Sequence, residues 1–306
     1  MVSKPLNMSP TVFGDPPCDL AAVVSRLYIY PVKSCAGVQV ERAVLTKTGL
    51  AFDRTWMVVD GDGNFLTQRE LPRMALVKPQ LRASGLALNA PGMPALHIAP
   101  DPVPAPCRVR VWSDEVQALD MGPAPARWFS DFLGVAARMV RFDPGQKRVC
   151  DLRWTGGIEA LNQFSDGYPA LVISEASLAH FNEKLVARGH SAVDMARFRP
   201  SIVLGDPAAG LELAPHDEDR LEVIQIATAQ GLVSLKPVKP CPRCPIPNIE
   251  PTTAVSSPEV SDLLQSYRQD PRVNGAPTFG MNAIVQQGLG HVLRINQAIG
   301  ADYRFD

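Results

Sequence analysis

Proline sets the first limit on how this chain can fold. It occurs 29 times in 306 residues, about twice its ordinary share of ~5%. Proline has no amide hydrogen, clashes with the preceding turn of a helix and cannot donate to a sheet ladder. A bundle of long helices is therefore excluded, and many short strands joined by shaped loops are favoured. With 46% hydrophobic and 20% charged residues, the chain still has the means to bury a substantial core and is not disordered on composition. Lys+Arg and Asp+Glu number 30 and 31, a net charge of -1. That balance argues against a strongly basic nucleic-acid binder and leaves room for a local basic pocket.

The opening MVSKPLNMSPTVFGDPPCDL is polar and proline-rich. It lacks the apolar core of a signal peptide, so a loose tail over residues 1–20 is expected. Apolar runs such as Leu20–Val24 fall far short of the ~20 residues that cross a bilayer. A cytoplasmic protein without a membrane span is the expectation. The cysteines, Cys18, Cys35, Cys107, Cys150, Cys241 and Cys244, are irregularly spaced. Reduced thiols fit that pattern better than three disulfides.

Between the tail and residue 145, alternating runs predict strands at Val23–Tyr30, Val38–Leu45 and Met139–Phe142. Hairpins are expected about Gly61-Asp62-Gly63 and Pro91-Gly92, and a short helix over Ala126–Leu133. In the run CRVRVW, Cys107, Val109 and Val111 share one face. Beyond residue 146, strands are expected at ALVIS, Ser201–Leu204, Leu221–Ile226, Leu232–Leu235, Asn282–Val285 and His291–Ile295. Ser174 is placed to cap a helix whose inner face carries Leu178, Phe181 and Leu185, ending at Gly189. Ser257 and Pro258 are placed to open another, with Val260, Leu263, Leu264 and Tyr267 inward. The fold class is mostly β with a few short helices (α+β), in two parts: a β-rich domain over 21–145 and a second over 146–306.

The segment Lys236–Pro251, KPVKPCPRCPIPNIEP, is the least ordinary. Six prolines in sixteen residues impose an extended, stiff backbone that displays its side chains. It holds Cys241 and Cys244 beside Lys236, Lys239 and Arg243. Cations favour the thiolate, which is the form that attacks or ligates metal. Soft sulfur with positive charge suits a metal carried by an anionic organic ligand. The spacing alone also admits a zinc site, a redox dithiol or a plain proline turn. A zinc cage lacks a second cysteine or histidine pair nearby, and a thioredoxin-like pair should open a helix.

Other segments stand in order along the chain: PVKSCAG at Pro31–Gly37, FDRTWMVVD at Phe52–Asp60, DGYPALVISEASL at Asp166–Leu178, RFRPSIVL at Arg197–Leu204 and KPCPRC at Lys239–Cys244. Each is moderately specific; the five in order are strong, and the resemblance they carry runs from about Ser25 to the C-terminus. With them the sequence resembles the MOSC family, in its two-domain branch of amidoxime-reducing components and their bacterial relatives. The resemblance implies a MOSC N-terminal β-rich domain packed on a MOSC β-barrel. It also implies a molybdenum cofactor (Mo-molybdopterin), held by a pterin dithiolene and one protein cysteine. Cys244 matches that ligand, which is also the catalytic position; Cys241 does not, and reads as a small packed side chain. Lys33, Ser34, Arg54, Arg199, Ser201 and Arg243 match positions around the pterin and its phosphate. Guanidinium forks and compact ammonium charges suit phosphate.

Two departures are visible. Ser201 stands where relatives often carry Asn, and PNIEP follows the cysteine where they commonly read TTVDP, which places Asn248 and Glu250 near the expected substrate side. The implied reaction reduces a small N-hydroxylated compound from N–OH to N–H with release of water. No four-cysteine ferredoxin segment is fused, so the electrons are expected from a separate ferredoxin- or cytochrome-type protein and its reductase. Glu250 and Asp166 are two carboxylates to weigh as proton handlers. A cofactor carrier without turnover, or a sulfur-transfer protein of the same family, is the alternative. No nucleic-acid partner is expected.

Overall fold

The computed structural model describes residues 18–82, 85–99, 105–207 and 213–305. The tail expected over 1–20 lies outside them up to residue 17. The chain adopts the mostly β architecture with a few short helices that its proline content demanded. Seven strands close a barrel: β1 Leu20–Ile29, β2 Ala170–Ser174, β3 Ile202–Gly205, β4 Leu221–Thr228, β5 Gly231–Pro242, β6 Ala276–Gln287 and β7 Ala298–Tyr303. Their order is β2-β3-β1-β7-β4-β5-β6, and β6 pairs back onto β2. Among these strands only β2 and β3 run parallel. Closure leaves no long edge exposed for pairing with another chain.

All seven strands send apolar side chains inward, among them Val24, Val172, Leu204, Ile226, Leu235, Ala283 and Ile299. The run ALVIS is buried on both faces, which is why it reads as continuous rather than alternating. Val172 faces the barrel interior, while Leu171 and Ile173 meet the helices Glu175–Ala187 and Glu259–Tyr267 outside. Ser174 caps the first of these by accepting from the Ser177 amide, and Leu178, Phe181 and Leu185 form its buried face. The second helix begins one residue later than expected. Pro258 is its cap, and the Ser257 hydroxyl turns to Glu259 instead of a backbone amide.

The other half of the chain builds a four-stranded sheet from Trp56–Val59, Arg138–Phe142, Asp114–Asp120 and Ala105–Val111, in that spatial order. A three-stranded meander, Lys78–Arg82, Gly85–Asn89 and Leu96–Ile98, lies beside it. The helix Pro123–Leu133 joins their core through Trp128, Phe129 and Phe132.

Three features differ from the sequence reading. The proline segment is not all loop: β5 runs through it to Pro242, paired with β6. The register shifts at Pro237/Lys239 and again at Pro240/Pro242, passing over Val238 and Cys241. A proline cannot donate, so bulges absorb the missing hydrogen bonds. The strand β7 was not foreseen, because AIGADY offers a glycine and two alanines in place of a β-branched run. Finally, β1 leaves the N-terminal part of the chain and pairs with β3 and β7. Among the described residues no helix is long and apolar enough to cross a membrane.

Candidate functional site

The motif segments meet at one cleft beside the barrel. PVKS leaves the end of β1 and is stitched to FDRTW: the Lys33 amide donates to Trp56 O at 2.8 Å, and the Trp56 amide to Pro31 O at 2.9 Å. The Arg54 amide donates to Tyr30 O at 2.8 Å, and the Phe164 amide to Arg54 O at 3.1 Å. RFRP precedes β3, and CPRC ends β5. The cleft holds about 790 Å³ of empty space, counting the part open to solvent. Cys244, Lys33, Ser34, Arg54, Arg199, Ser201 and Arg243 all line it.

Three of these residues hold left-handed backbone: Ser34 at φ 64°, Arg54 at φ 49° and Arg199 at φ 58°. Such geometry costs a non-glycine residue about 1–2 kcal/mol, and it concentrates where function requires it. Here it aims two guanidinium groups at one ring. Arg54 and Arg199 each lie 4.2 Å from the centroid of Tyr30. Tyr30 is fully buried, and its hydroxyl has no hydrogen-bond partner among the described residues. Gly37 makes room for it, because a Cβ there would lie 2.4 Å from the Tyr30 ring.

The cations are positioned mostly by carbonyl oxygens, which hold them without cancelling their charge. Arg199 Nη1 donates to Cys35 O at 2.7 Å, Arg54 Nη2 to Arg199 O at 3.2 Å, and Arg243 Nη2 to Phe198 O at 2.7 Å. Arg54 also pairs with the buried Asp53. Burial, and then the neighbouring Arg54, push the Arg199 guanidinium down to about 10. It stays charged at neutral pH. Burial lowers the Lys33 ammonium as well, against the pull of Asp166. Lys33 is 6% exposed, and its Nζ donates to Phe164 O at 2.8 Å and to Asp166. The Asp166 side chain is 60% exposed, and Lys33 and then Arg69 outweigh its partial desolvation and hold its carboxyl below the usual carboxylate range. It is an ionised acceptor at neutral pH.

The two cysteines differ. Cys241 is partly buried and packs against the apolar cluster outside the barrel that includes Tyr30, Ile173 and Phe198, and its sulfur accepts from Arg243 Nη1 at 3.1 Å. Cys244 is half-buried in the cleft lining, with no hydrogen-bond partner among the described residues. Ser201 is buried, and its hydroxyl accepts from the Leu171 amide at 3.4 Å.

Asn248 and Glu250 do not reach the cleft lining. The Asn248 side chain accepts from the Ser261 amide at 2.9 Å, and Glu250 pairs with Arg197 at 2.6 Å. Both therefore brace the turn after the cysteines. Sequence reasoning also missed Tyr30, Arg69, Tyr168 and Asn282. Tyr30 looks like one more strand residue, and Arg69, Tyr168 and Asn282 join the cleft only through long-range folding. Among the described residues, no three His, Cys, Asp or Glu side chains gather as a metal cage.

Two family models match the chain in tandem: the MOSC N-terminal beta barrel domain over residues 21–136 and the MOSC domain over residues 160–298. Mitochondrial amidoxime reducing component 2 of Rattus norvegicus is 34% identical, with 86% of this chain and 79% of that protein aligned. Mitochondrial amidoxime-reducing component 1 of Homo sapiens is also 34% identical, over 86% of this chain and 78% of its own length. Among solved structures, the YUAD protein of Bacillus subtilis aligns over 93% of this chain and 98% of its own at 12% identity, with a TM-score of 0.40.

Proposed function

The chain belongs to the MOSC family, and on that premise we propose that it is a molybdenum-cofactor reductase of N-hydroxylated compounds. The observation that carries the reading is the lining of the cleft. Five cationic side chains, Lys33, Arg54, Arg69, Arg199 and Arg243, face one carboxylate, Asp166, around the thiol of Cys244. That set fits an anionic organic group carrying a soft metal. The phosphate and pterin find guanidinium and ammonium donors, and the metal finds one sulfur. Two buried polar atoms without hydrogen-bond partners among the described residues, Arg243 Nε and Tyr30 Oη, adjoin the cleft.

Cys244 is the protein ligand in this reading. Lys33, Ser34, Arg54, Arg199, Ser201 and Arg243 hold the organic part, with Tyr30 holding two of the guanidiniums in place. Cys241 supports Arg243 through its sulfur. Once bound, the molybdenum cofactor supplies two-electron redox chemistry at the N–OH group. In the net reaction the N–O bond breaks, two electrons and two protons enter, and the N–H product and water leave. The electrons come from a separate ferredoxin- or cytochrome-type protein with its reductase. Asp166 orients Lys33 and does not donate a proton, because its partners keep it ionised. With the domain division placed at about residue 145, the first part contributes β1 to the barrel and Lys33, Ser34, Arg54 and Arg69 to the cleft, and the second carries Cys244.

Metal-loaded protein with a chemical reductant should convert benzamidoxime or 6-hydroxylaminopurine to the N–H product. Loaded but inert protein would replace this reading with that of a cofactor carrier.

A further inference from the structure

The hairpin between Ala105–Val111 and Asp114–Asp120 turns through two residues, Trp112 and Ser113. Trp112 has φ 57°. Glycine or asparagine is the ordinary occupant of a positive-φ position in such a turn, and a bulky ring there is an outlier. Its side chain is nonetheless held firmly. The indole Nε1 donates to Asp166 Oδ1 at 3.2 Å, Phe65 meets the ring edge-on at 5.0 Å, and the Arg69 guanidinium lies 4.7 Å from the ring centroid. Even so, Trp112 is 49% exposed. A second cavity opens beside it and shares Asp166, Gly167, Tyr168, Cys241, Pro242 and Asn282 with the cationic cleft. The same Asp166 oxygen accepts from Lys33 and from Trp112. The indole is therefore anchored to the wall of the cofactor cleft while much of its surface stays bare.

We propose that Trp112 is the platform on which flat, nitrogen-rich aromatic substrates stack, so that the preferred N-hydroxylated substrates are heteroaromatic or aryl-amidine compounds and not aliphatic ones. The proposal rests on the reductase reading for its substrate class. Arg69 polarises the ring, and the Asn282 amide and Tyr168 line the same cavity beside the stacked edge. Stacking on an aromatic side chain is tolerant of substituents, since any flat π-system offers a face.

The test compares wild-type, Trp112→Ala and Trp112→Phe holoenzymes on 6-hydroxylaminopurine and on an aliphatic amidoxime. The ratio of kcat/KM for the aromatic over the aliphatic substrate should fall about tenfold in Trp112→Ala, through KM and not kcat, and recover substantially in Trp112→Phe. An equal loss on both substrates, or an unchanged ratio, would overturn the proposal. A second readout does not depend on turnover: adenine should quench tryptophan fluorescence in the wild type and in Trp154→Phe, but not in Trp112→Phe. Quenching without any turnover leaves the platform standing and removes the reductase reading. No quenching by adenine, or quenching that survives Trp112→Phe, removes the platform.

Discussion

The cationic cleft and the pocket around Glu218 both bury charge, and they handle it in opposite ways. Glu218 is fully buried beside the start of the helix Glu175–Ala187. Its carboxylate accepts from the Ser174 amide at 3.2 Å and from the hydroxyls of Ser174 and Ser177 at 2.8 Å each. Neighbouring His216 is kept neutral among Tyr267 and Phe279, its pKa pushed down to about 3 by burial and then by Arg268. The Glu218 carboxylate finds its donors within the protein, while both ring nitrogens of the neutral His216 are buried without a hydrogen-bond partner among the described residues. In the cleft, five cations crowd together on carbonyl oxygens and aromatic rings, with Asp53 and Asp166 as their carboxylate partners. Charge satisfied from within fixes a fold, whereas same-sign charge held in place without full balance makes room for a ligand of opposite sign.

The sharpest way to break this contrast is to remove a cation from the cleft. In protein made by a host that cannot supply the cofactor, inorganic pyrophosphate should raise the thermal midpoint, because it binds the folded state alone. Arg199→Ala and Arg54→Ala should each weaken that anion at least about tenfold, the cost of a hydrogen bond to charge at ~1.5–3 kcal/mol. An unchanged pyrophosphate effect in both variants would show that the cleft does not gather anions. The Glu218 pocket should respond by a smaller amount and with pH. Burial, and then Asp219, raise the Glu218 carboxyl above its ordinary value. Its folded pKa thus exceeds the unfolded one, so the stability it contributes is present below the unfolded pKa and lost as pH rises through the folded pKa. Glu218→Gln should therefore gain more stability at pH 8 than at pH 4.5, on the order of 1 kcal/mol. Equal destabilisation at both pH values would mean that the serine hydroxyls demand a carboxylate.

Local chemistry was readable from the sequence, and assembly much less so. Lys33, Ser34, Arg54, Arg199, Ser201, Arg243 and Cys244 carry unusual residue types in unusual company, and the structure brings them to one cleft. The prolines forecast short strands and a stiff cysteine segment, but not that β5 would run through Pro237 and Pro240 by bulging. Propensity says where a chain can bend, while pairing with β6 decides whether it must. The closing strand β7 and the pairing of β1 with β3 and β7 rest on contacts between residues far apart in sequence, such as Ala21 with Gly300. No local pattern records those contacts. Glu250 was placed near the substrate by its position in the motif, and an ion pair with Arg197 redirected it. Tyr30 and Asp166 escaped notice as organisers because their roles exist only once Arg54, Arg199, Lys33 and Trp112 have converged on them.

The assignment of two nearby cysteines to different roles is the central claim, and metal analysis tests it most directly. Protein from a molybdenum-replete host should contain close to one equivalent of molybdenum. Cys241→Ala should retain that metal, since its side chain packs against an apolar cluster and its sulfur accepts from Arg243, while Cys244→Ala should lose it. Molybdenum kept in both variants, or lost only in Cys241→Ala, would contradict the account.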